Sequence, residues 1–490
     1  MAKRVSVIDI GSNSIRMVVY EKTSRFAFHL LYEAKSKVRI SENAYQNGGN
    51  LQEIPMQRTF DALSEFLSIS SSLKARKTFC VATSALRDAP NKKDFLLKVK
   101  SKLKLNIKII DGEKEAYYGA IACANLLPSQ KNALSIDIGG GSTEFSSIDG
   151  NNVTNTISLD LGTVRLKELF FDKNKINNAI EYIDNKLEVL NHIDASTLIG
   201  IGGTFRAIST AIMTSQEYPL NKIHAYECSS LEYINYIELI LKANDKKLKE
   251  LGIEKSRFDV IKPGALILQR VFKKLSIKKT ITSGVGVREG VYLSDLLRGS
   301  NDKFPANYNT SVRYLIDSTI YDTSYSNQLS SLSKKLFDLT HEYLEIDKEY
   351  RYDLSVASRL YPAGSNIHFY SQHRHTYYLV KSALEYGFTH SQIMLIATLT
   401  RYAKNKLPSK SHIKKYENLL PDTKTINSLS YLISLSIILL SHKPRNIDFD
   451  LKFQDGVLNV ESKERLYLSQ EAVKKLMDIK DFKVEFKQRS

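Results

Sequence analysis

Two short phrases in this 490-residue chain carry side chains suited to phosphate chemistry. "IDIGSNSIR" supplies Asp9, Gly11, Ser12, Asn13, Ser14 and Arg16; "IDIGGGSTE" supplies Asp137, Gly139, Gly140, Gly141, Ser142, Thr143 and Glu144. Each phrase runs from an apolar strand through an Asp into a Gly/Ser turn. Glycine lets the backbone approach a ligand closely. Successive amide N–H groups in such a turn form a nest for an anion, and the hydroxyls and the Asn13 amide add donors. A carboxylate beside a phosphate repels it, so Asp9 and Asp137 imply a divalent cation such as Mg2+, or a water to be oriented. Two such turns would pinch a phosphate between domains, where ligand sites often lie. A single "DIG" is an ordinary strand–turn–strand. Two in equivalent places, joined by "GIGGT" (residues 200–204) and "SGVGVREG" (residues 283–290), are a pattern. No GxxxxGK[ST] occurs and "GIGG" is not a complete GxGxxG, so a P-loop is disfavoured.

The elements that must position these turns follow from periodicity. Apolar runs and helical spacing between "VSVIDI" and "GEKEAYYGAIACANLL" read β-β-β-α-β-α-β-α, an α/β layer. The scheme restarts at Ala133, so the two phrases belong to two similar halves, with Pro128 and "PSQKN" at the hinge. After "RGSNDKFPANYN" (residues 298–309) glycine becomes scarce and helical patterns dominate. From Pro444 a hairpin, a helix and the strand "KVEFK" form a small tail. The expected domains are residues 1–127, 128–300, 301–443 and 444–490.

Seventy basic against 53 acidic side chains leave a formal charge of +17. That balance favours an anionic partner: nucleic acid, anionic lipid or a polyphosphorylated small molecule. The lysines are scattered ("KVKSKLKLNIK", "NDKKLKELGIEK", "KSHIKKY"), with no zinc-finger spacing, RNP motif or basic zipper, so nucleic acid is disfavoured. Cys80, Cys123 and Cys228 are odd in number and widely spaced, which suggests no disulfide framework and fits a reducing cytoplasm. "MAKRVSVIDIG" has no secretory h-region. The longest apolar stretch, residues 429–440, is too short to span a bilayer and is expected to be a buried helix.

Taken in order, "DIGSNSIR", "VATSALRDA", "IIDGEKEAYYG", "DIGGGSTEFS", "LDLGTVRL", "IGIGGT" and "SRFDVIKPGA" resemble the exopolyphosphatase and guanosine pentaphosphate phosphohydrolase family, within the actin, Hsp70 and sugar-kinase superfamily. The resemblance covers residues 3–297 and continues more weakly beyond. It implies a duplicated actin-like (ribonuclease-H-like) α/β fold, then an all-α HD-like domain and a small α/β tail. The implied reaction is hydrolysis of a terminal phosphoanhydride. The substrate is guanosine pentaphosphate, giving the tetraphosphate and phosphate, or inorganic polyphosphate shortened from one end.

The resemblance also assigns roles. Glu115 is the general base that orients and deprotonates water; Glu113, nearer the helix start, suits a macrodipole-favoured acid. Asp137 and Glu144, with Asp9, hold Mg2+ or the water. When the phrases are aligned Glu144 stands where Arg16 does, as if the halves had specialised. Arg16, Arg87 and Arg257 are the phosphate clamps, since a guanidinium forks onto phosphate oxygens and keeps its proton. Arg165 and Arg206 are weaker candidates. The partner is a polyanionic small molecule, the expected assembly a homodimer, and neither membrane nor nucleic acid is expected. Two alternatives stay open: a kinase or ATPase of the same superfamily binding ATP at "IGIGGT", and a low-turnover alarmone or polyphosphate sensor.

The helical part departs from the family pattern. Long members resemble HD-type phosphohydrolases and carry a His-acid pair about where "RLYPAGSNIHFYSQHRHTYYLV" stands. This chain has Tyr361 and Pro362 there, leaving His368, His373 and His375. A metal site needs its full ligand set. This domain is therefore read as non-catalytic, lengthening the cleft or supporting dimerisation.

Overall fold

A computed structural model describes residues 4–479 and 482–489; Lys3, where the resemblance begins, lies outside the described residues. The chain divides into two units, Met1–Tyr308 and Asn309–Ser490.

The first unit contains two α/β halves. Half I runs β1 (Arg4–Ile10), β2 (Ile15–Lys22), β3 (Phe28–Ser36), α1 (Glu53–Ser72), β4 (Lys77–Ala82), α2 (Ser84–Asp88), α3 (Lys92–Leu103), β5 (Lys108–Ile109) and α4 (Gly112–Leu126). Its sheet is ordered β3-β2-β1-β4-β5. The first three strands are antiparallel and β4 joins β1 in parallel. Half II runs β6 (Ala133–Ile138), β7 (Thr143–Asp149), β8 (Asn152–Leu159), α5 (Thr163–Leu169), α6 (Ile176–Leu187), β9 (Thr197–Ile201), α7 (Gly202–Ser215), β10 (Tyr226–Ser229), α8 (Ser230–Lys242), α9 (Asp245–Glu250), α10 (Phe258–Lys274), β11 (Lys279–Thr282) and α11 (Val287–Leu296). Its order, β10-β11-β9-β6-β7-β8, repeats the first with β10 added as an antiparallel edge. β1 and β6 are covered on both faces, which is why they read as nearly continuous apolar runs. Ile8, Ile10, Leu63 and Phe66 centre one core; Ile136, Phe145, Phe205 and Leu268 centre the other.

Register makes the duplication concrete. Asp9 pairs with Arg16 on β2, and Arg16 with Lys35 on β3. In half II the same row reads Asp137, Glu144 on β7 and Ser158 on β8. The halves also exchange helices. α4, written in half I, packs on β7 and β8; α11, written in half II, packs on β1. The two helices cross where a Cβ on Gly290 would overlap the Tyr118 carbonyl. On α11, Glu289 accepts from the Tyr20 hydroxyl of β2, and Lys77 of β4 reaches Asp295 at 2.5 Å.

The second unit comprises α12 (Thr310–Thr319), α13 (Thr323–Thr340), α14 (Tyr350–Leu360), α15 (Gln372–Ala383), α16 (His390–Tyr402), α17 (Lys410–Lys415) and α18 (Thr423–Leu439). The hairpin β12 (Phe449–Gln454) and β13 (Val457–Ser462), α19 (Tyr467–Val473), and β14 (Lys483–Gln488) parallel to β13 follow. α18 carries the longest apolar run and is buried along most of its length. Asp422 caps it by accepting from Thr425 N at 3.0 Å. No helix among the described residues is long and apolar enough to cross a membrane. Where the His-acid pair was looked for, Tyr361 and Pro362 are buried, and Thr376 Oγ1 donates to the Tyr361 carbonyl at 2.9 Å. His368 is exposed, and His373 and His375 are half-buried. Among the described residues no cluster of three or more His, Cys, Asp or Glu side chains is set to hold a metal ion. Cys80, Cys123 and Cys228 are free and buried.

Candidate active site

Both Asp-tipped turns close in the same way. Gly11 N donates to the Ser14 carbonyl at 3.2 Å, and Gly139 N to the Ser142 carbonyl at 2.9 Å. The first turn is braced by the Ser12–Ser84 hydroxyl contact at 3.1 Å and by Ser41 Oγ, which donates to the Ser12 carbonyl. The second turn is braced by the start of α5. Thr163 N donates to the Gly139 carbonyl at 3.0 Å and Val164 N to the Gly140 carbonyl at 2.8 Å. A Cβ on Gly162 would overlap Gly140, so "LDLG" needs its glycine for that close approach. Gly202 is another position that needs glycine. Its φ is +84°, and a Cβ there would strike Asp137 Oδ1.

The turns face one cavity of about 380 Å³ between the halves. Asp9, Asp137, Glu144 and Glu115 line it, as do Gly11, Ser12, Asn13, Ser14, Arg16, Gly139, Gly140, Ser142 and Arg257. Three expected residues do not. Thr143 is fully buried and its Oγ1 donates to the Leu161 carbonyl. Gly141 faces Tyr45 and Ser84, and its carbonyl accepts from Arg165 Nε at 2.8 Å. Arg87 turns its guanidinium onto Glu115 Oε2 at 3.1 Å and lies 3.4 Å from Asp88. The neighbouring carboxylates hold the side chain. Arg165 is likewise held, beside Asp88 and Asp160.

Lys35, Lys37, Arg206 and Arg288 also line the cavity. Lys35 is legible only through the β2–β3 register that sets it beside Arg16. Lys37 donates to the Ser256 carbonyl at 2.7 Å, and Arg39 pairs with Asp259 at 2.9 Å, tying half I to the start of α10. Arg288 arrives from the exchanged helix α11 and pairs with Glu33 at 2.7 Å; Arg16 lies 3.8 Å from the same carboxylate. Arg257 lies against Gly203, where an added Cβ would stand 2.8 Å from a guanidinium nitrogen.

Burial dominates the titration of this site. It pushes Asp9 up to about 6 and raises Asp137, although Arg288 and Arg16 pull Asp9 back and Arg206 is the first of the cations opposing the shift at Asp137. Burial, then Asp137, pushes Glu144 up to about 8. Glu115 is raised well above the ordinary carboxylate range by burial and then by Glu144, against the pull of Arg87. Ser158 Oγ donates to Glu144 Oε1 at 2.9 Å, and Gly112, at the start of α4, packs on Ser158. That packing sets the helix bearing Glu115 against the strand bearing Glu144. Asp9 Oδ1 is buried with no hydrogen-bond partner.

The cations are equally confined. Burial lowers Arg206 to about 10 and Lys35 to about 8, and in each case Arg16 adds to the shift. Arg206 donates to the Gly284 carbonyl at 3.1 Å, and among the described residues it has no carboxylate hydrogen bond. Burial works against Arg288, yet Glu289 and Glu33 outweigh it and hold the guanidinium charged. A polyanion entering this cavity would relieve the crowding of the cations.

Residues 18–299 match the model of the Ppx/GppA phosphatase family, and residues 309–483 match the model for Ppx/GppA phosphatase, domain III. A guanosine-5'-triphosphate,3'-diphosphate pyrophosphatase of Photobacterium profundum is 26% identical over 419 residues, which are 82% of this chain and 81% of that one. The crystal structure of the Ppx/GppA family member of Aquifex aeolicus is 26% identical and superposes with a TM-score of 0.54, covering 61% of this chain and 99% of the other. A Cytophaga hutchinsonii exopolyphosphatase shares the fold at 23% identity, with a TM-score of 0.57 over 62% of this chain and all of that one (100%).

Proposed function

The chain belongs to the Ppx/GppA phosphatase family, and on that premise we propose that its cleft removes the terminal phosphate of guanosine pentaphosphate, leaving the tetraphosphate. The carrying observation is that Glu115, Asp9, Asp137 and Glu144 share one cavity with four arginines and two lysines. Carboxylates in that company suit attack of water on an anionic phosphorus.

In this reading the turn amides of residues 11–14 and 139–142 cradle the phosphates, with Arg16, Arg257 and Lys35 neutralising oxygens further out. Glu115 accepts the proton of the attacking water as its oxygen bonds to the terminal phosphorus. The bond from phosphorus to the bridging oxygen breaks, and that oxygen leaves on the shortened nucleotide. Glu144 and Asp137 hold the water in line.

The residues fit a divalent cation of the kind held chiefly by substrate. Asp9 Oδ1 is buried and unpartnered, and Asp137 and Glu144 face each other across β6 and β7. Mg2+ is commonly bound through one or two carboxylates plus phosphate oxygens and waters, without an all-protein cage. When bound it would supply charge neutralisation at the bridging and terminal oxygens.

A bounded cavity, bridged at its mouth from Lys37 and Arg39 to α10, suits a nucleotide. Inorganic polyphosphate, shortened from one end, is the second reading, favoured by the row of Arg16, Lys35 and Lys37. The buried free thiols suit a reducing compartment, and a cytoplasmic reaction is part of this proposal. Phosphate release from guanosine pentaphosphate, polyphosphate and ATP, each with and without Mg2+, tests this. Turnover of the pentaphosphate above the other two supports the proposal; release from ATP alone, or transfer to an acceptor, refutes it.

A further inference from the structure

The cleft uses only a small part of the positive charge on this chain. Another part gathers on one face of the second unit, from three segments separated in sequence. The connection after α16 folds back toward the start of α15, where Lys404 Nζ donates to the Tyr370 carbonyl at 2.8 Å. This brings Lys404, Lys406, Arg374 and Arg401 around His373; after burial, their charges lower its pKa. Lys381 and Lys415 join Arg401 around His412, which burial and then these cations push down to about 4.

None of these six cations has a carboxylate partner among the described residues. Rings face three of them. The Arg401 guanidinium lies 4.8 Å from the Tyr377 centroid and 5.6 Å from that of Tyr402, and Lys381 and Lys415 approach Tyr416 at 5.6 and 5.5 Å. Beside them Phe369, Tyr370 and Tyr378 are 70%, 74% and 68% exposed. From residue 366 to residue 416 the sequence holds a single carboxylate side chain, Glu385.

Unpaired cations alone would suit any polyanion. The exposed rings discriminate. Inorganic polyphosphate has no apolar face to cover them, whereas unpaired bases stack on aromatic side chains while their phosphates meet the cations. A second copy of this chain, itself at +17, would bring repulsion. We propose that this face of the second unit binds single-stranded nucleic acid, with phosphates on Arg374, Arg401, Lys404 and Lys406 and bases on the three exposed rings. The sequence motifs of nucleic-acid binders are absent because the surface is assembled by folding and not by one basic helix.

The test titrates the full chain with a fluorescent single-stranded RNA of about 12 nucleotides at several salt concentrations. Alongside go the same RNA as a duplex, inorganic polyphosphate and phosphatidylserine vesicles. The single strand should bind most tightly, with a log–log salt slope of about −3 for four phosphate contacts. Replacing Phe369, Tyr370 and Tyr378 by Ala should weaken it about tenfold or more. Arg401→Gln with Lys404→Gln should make the slope about 1.4 shallower. The single exposed changes Tyr378→Ala and Lys406→Gln keep the test readable should a multiple variant not fold, and unfolding midpoints report folding. Equal binding of duplex or polyphosphate, stronger binding to vesicles, or an unchanged affinity in the ring variant overturns the proposal.

Discussion

Arg87 Nη1 donates to Glu115 Oε2 at 3.1 Å, which ties α2 to the helix that carries the candidate base. The same nitrogen reaches the Ile110 carbonyl at 3.3 Å. We propose that Arg87 acts through Glu115 and not on substrate. Arg87→Gln should lower kcat about 10- to 100-fold while KM moves little, the signature of a lost transition-state arrangement. Steady-state kinetics on guanosine pentaphosphate would check this. A large rise in KM at constant kcat would return Arg87 to the role of phosphate clamp.

Glu115→Gln should reduce kcat by about 10²–10⁴, the range of a lost general base. Its thermal midpoint should equal or exceed that of the parent, because the change removes a carboxyl that burial already penalises. Loss of activity with a collapsed midpoint would point to a structural role instead.

Gly202→Ala combines two faults, a positive φ and a methyl driven onto Asp137 Oδ1. A loss of about 1–3 kcal/mol is expected from backbone strain alone. Activity should fall further than stability, since the displaced group is a site carboxylate. Denaturant unfolding and phosphate release, measured on one preparation, separate the two. Parent-like values in both would show that α7 can shift without cost.

A pH effect on stability should come from Asp353, far in sequence from the cleft residues. Its Oδ1 accepts from Gln392 Nε2 at 3.1 Å, and burial pushes its carboxyl up to about 7. In the unfolded chain it titrates near 4. The folded state thus keeps a proton that the unfolded state releases. Its stabilising contribution, at most about 4 kcal/mol, is fully present below about pH 4 and is lost as the pH rises through 7. Asp353→Asn keeps the acceptor and removes the titration. It should unfold at a higher temperature than the parent at pH 8, and the two should converge on acidification. Parallel pH curves would exclude Asp353 as the source.

The Asp-tipped turns were readable in the sequence because their chemistry is local: strand, carboxylate, glycine and hydroxyl follow one another within a few residues. The duplication was readable for the same reason, and the register sets Arg16 and Glu144 at the same rung in each half. Lys35 and Arg288 were not readable. One enters through pairing with a neighbouring strand, the other through a helix lent by the opposite half. Arg87 was expected to clamp phosphate; the sequence does not show that Glu115 and Asp88 engage its guanidinium.

Tyr118 and Gly290 meet backbone to backbone where α4 and α11 cross. We expect that contact to behave as a rivet: the two halves can swing about it like scissor blades but cannot slide past each other. The lips near Lys37 and Ser256 would then part to release product while the floor around Asp9 and Asp137 scarcely widens. Spin labels placed at the lips should show a broad spread of separations, and labels flanking the rivet a narrow one. A narrow spread at both places would mean that the blades are fixed and that ligands come and go by diffusion alone.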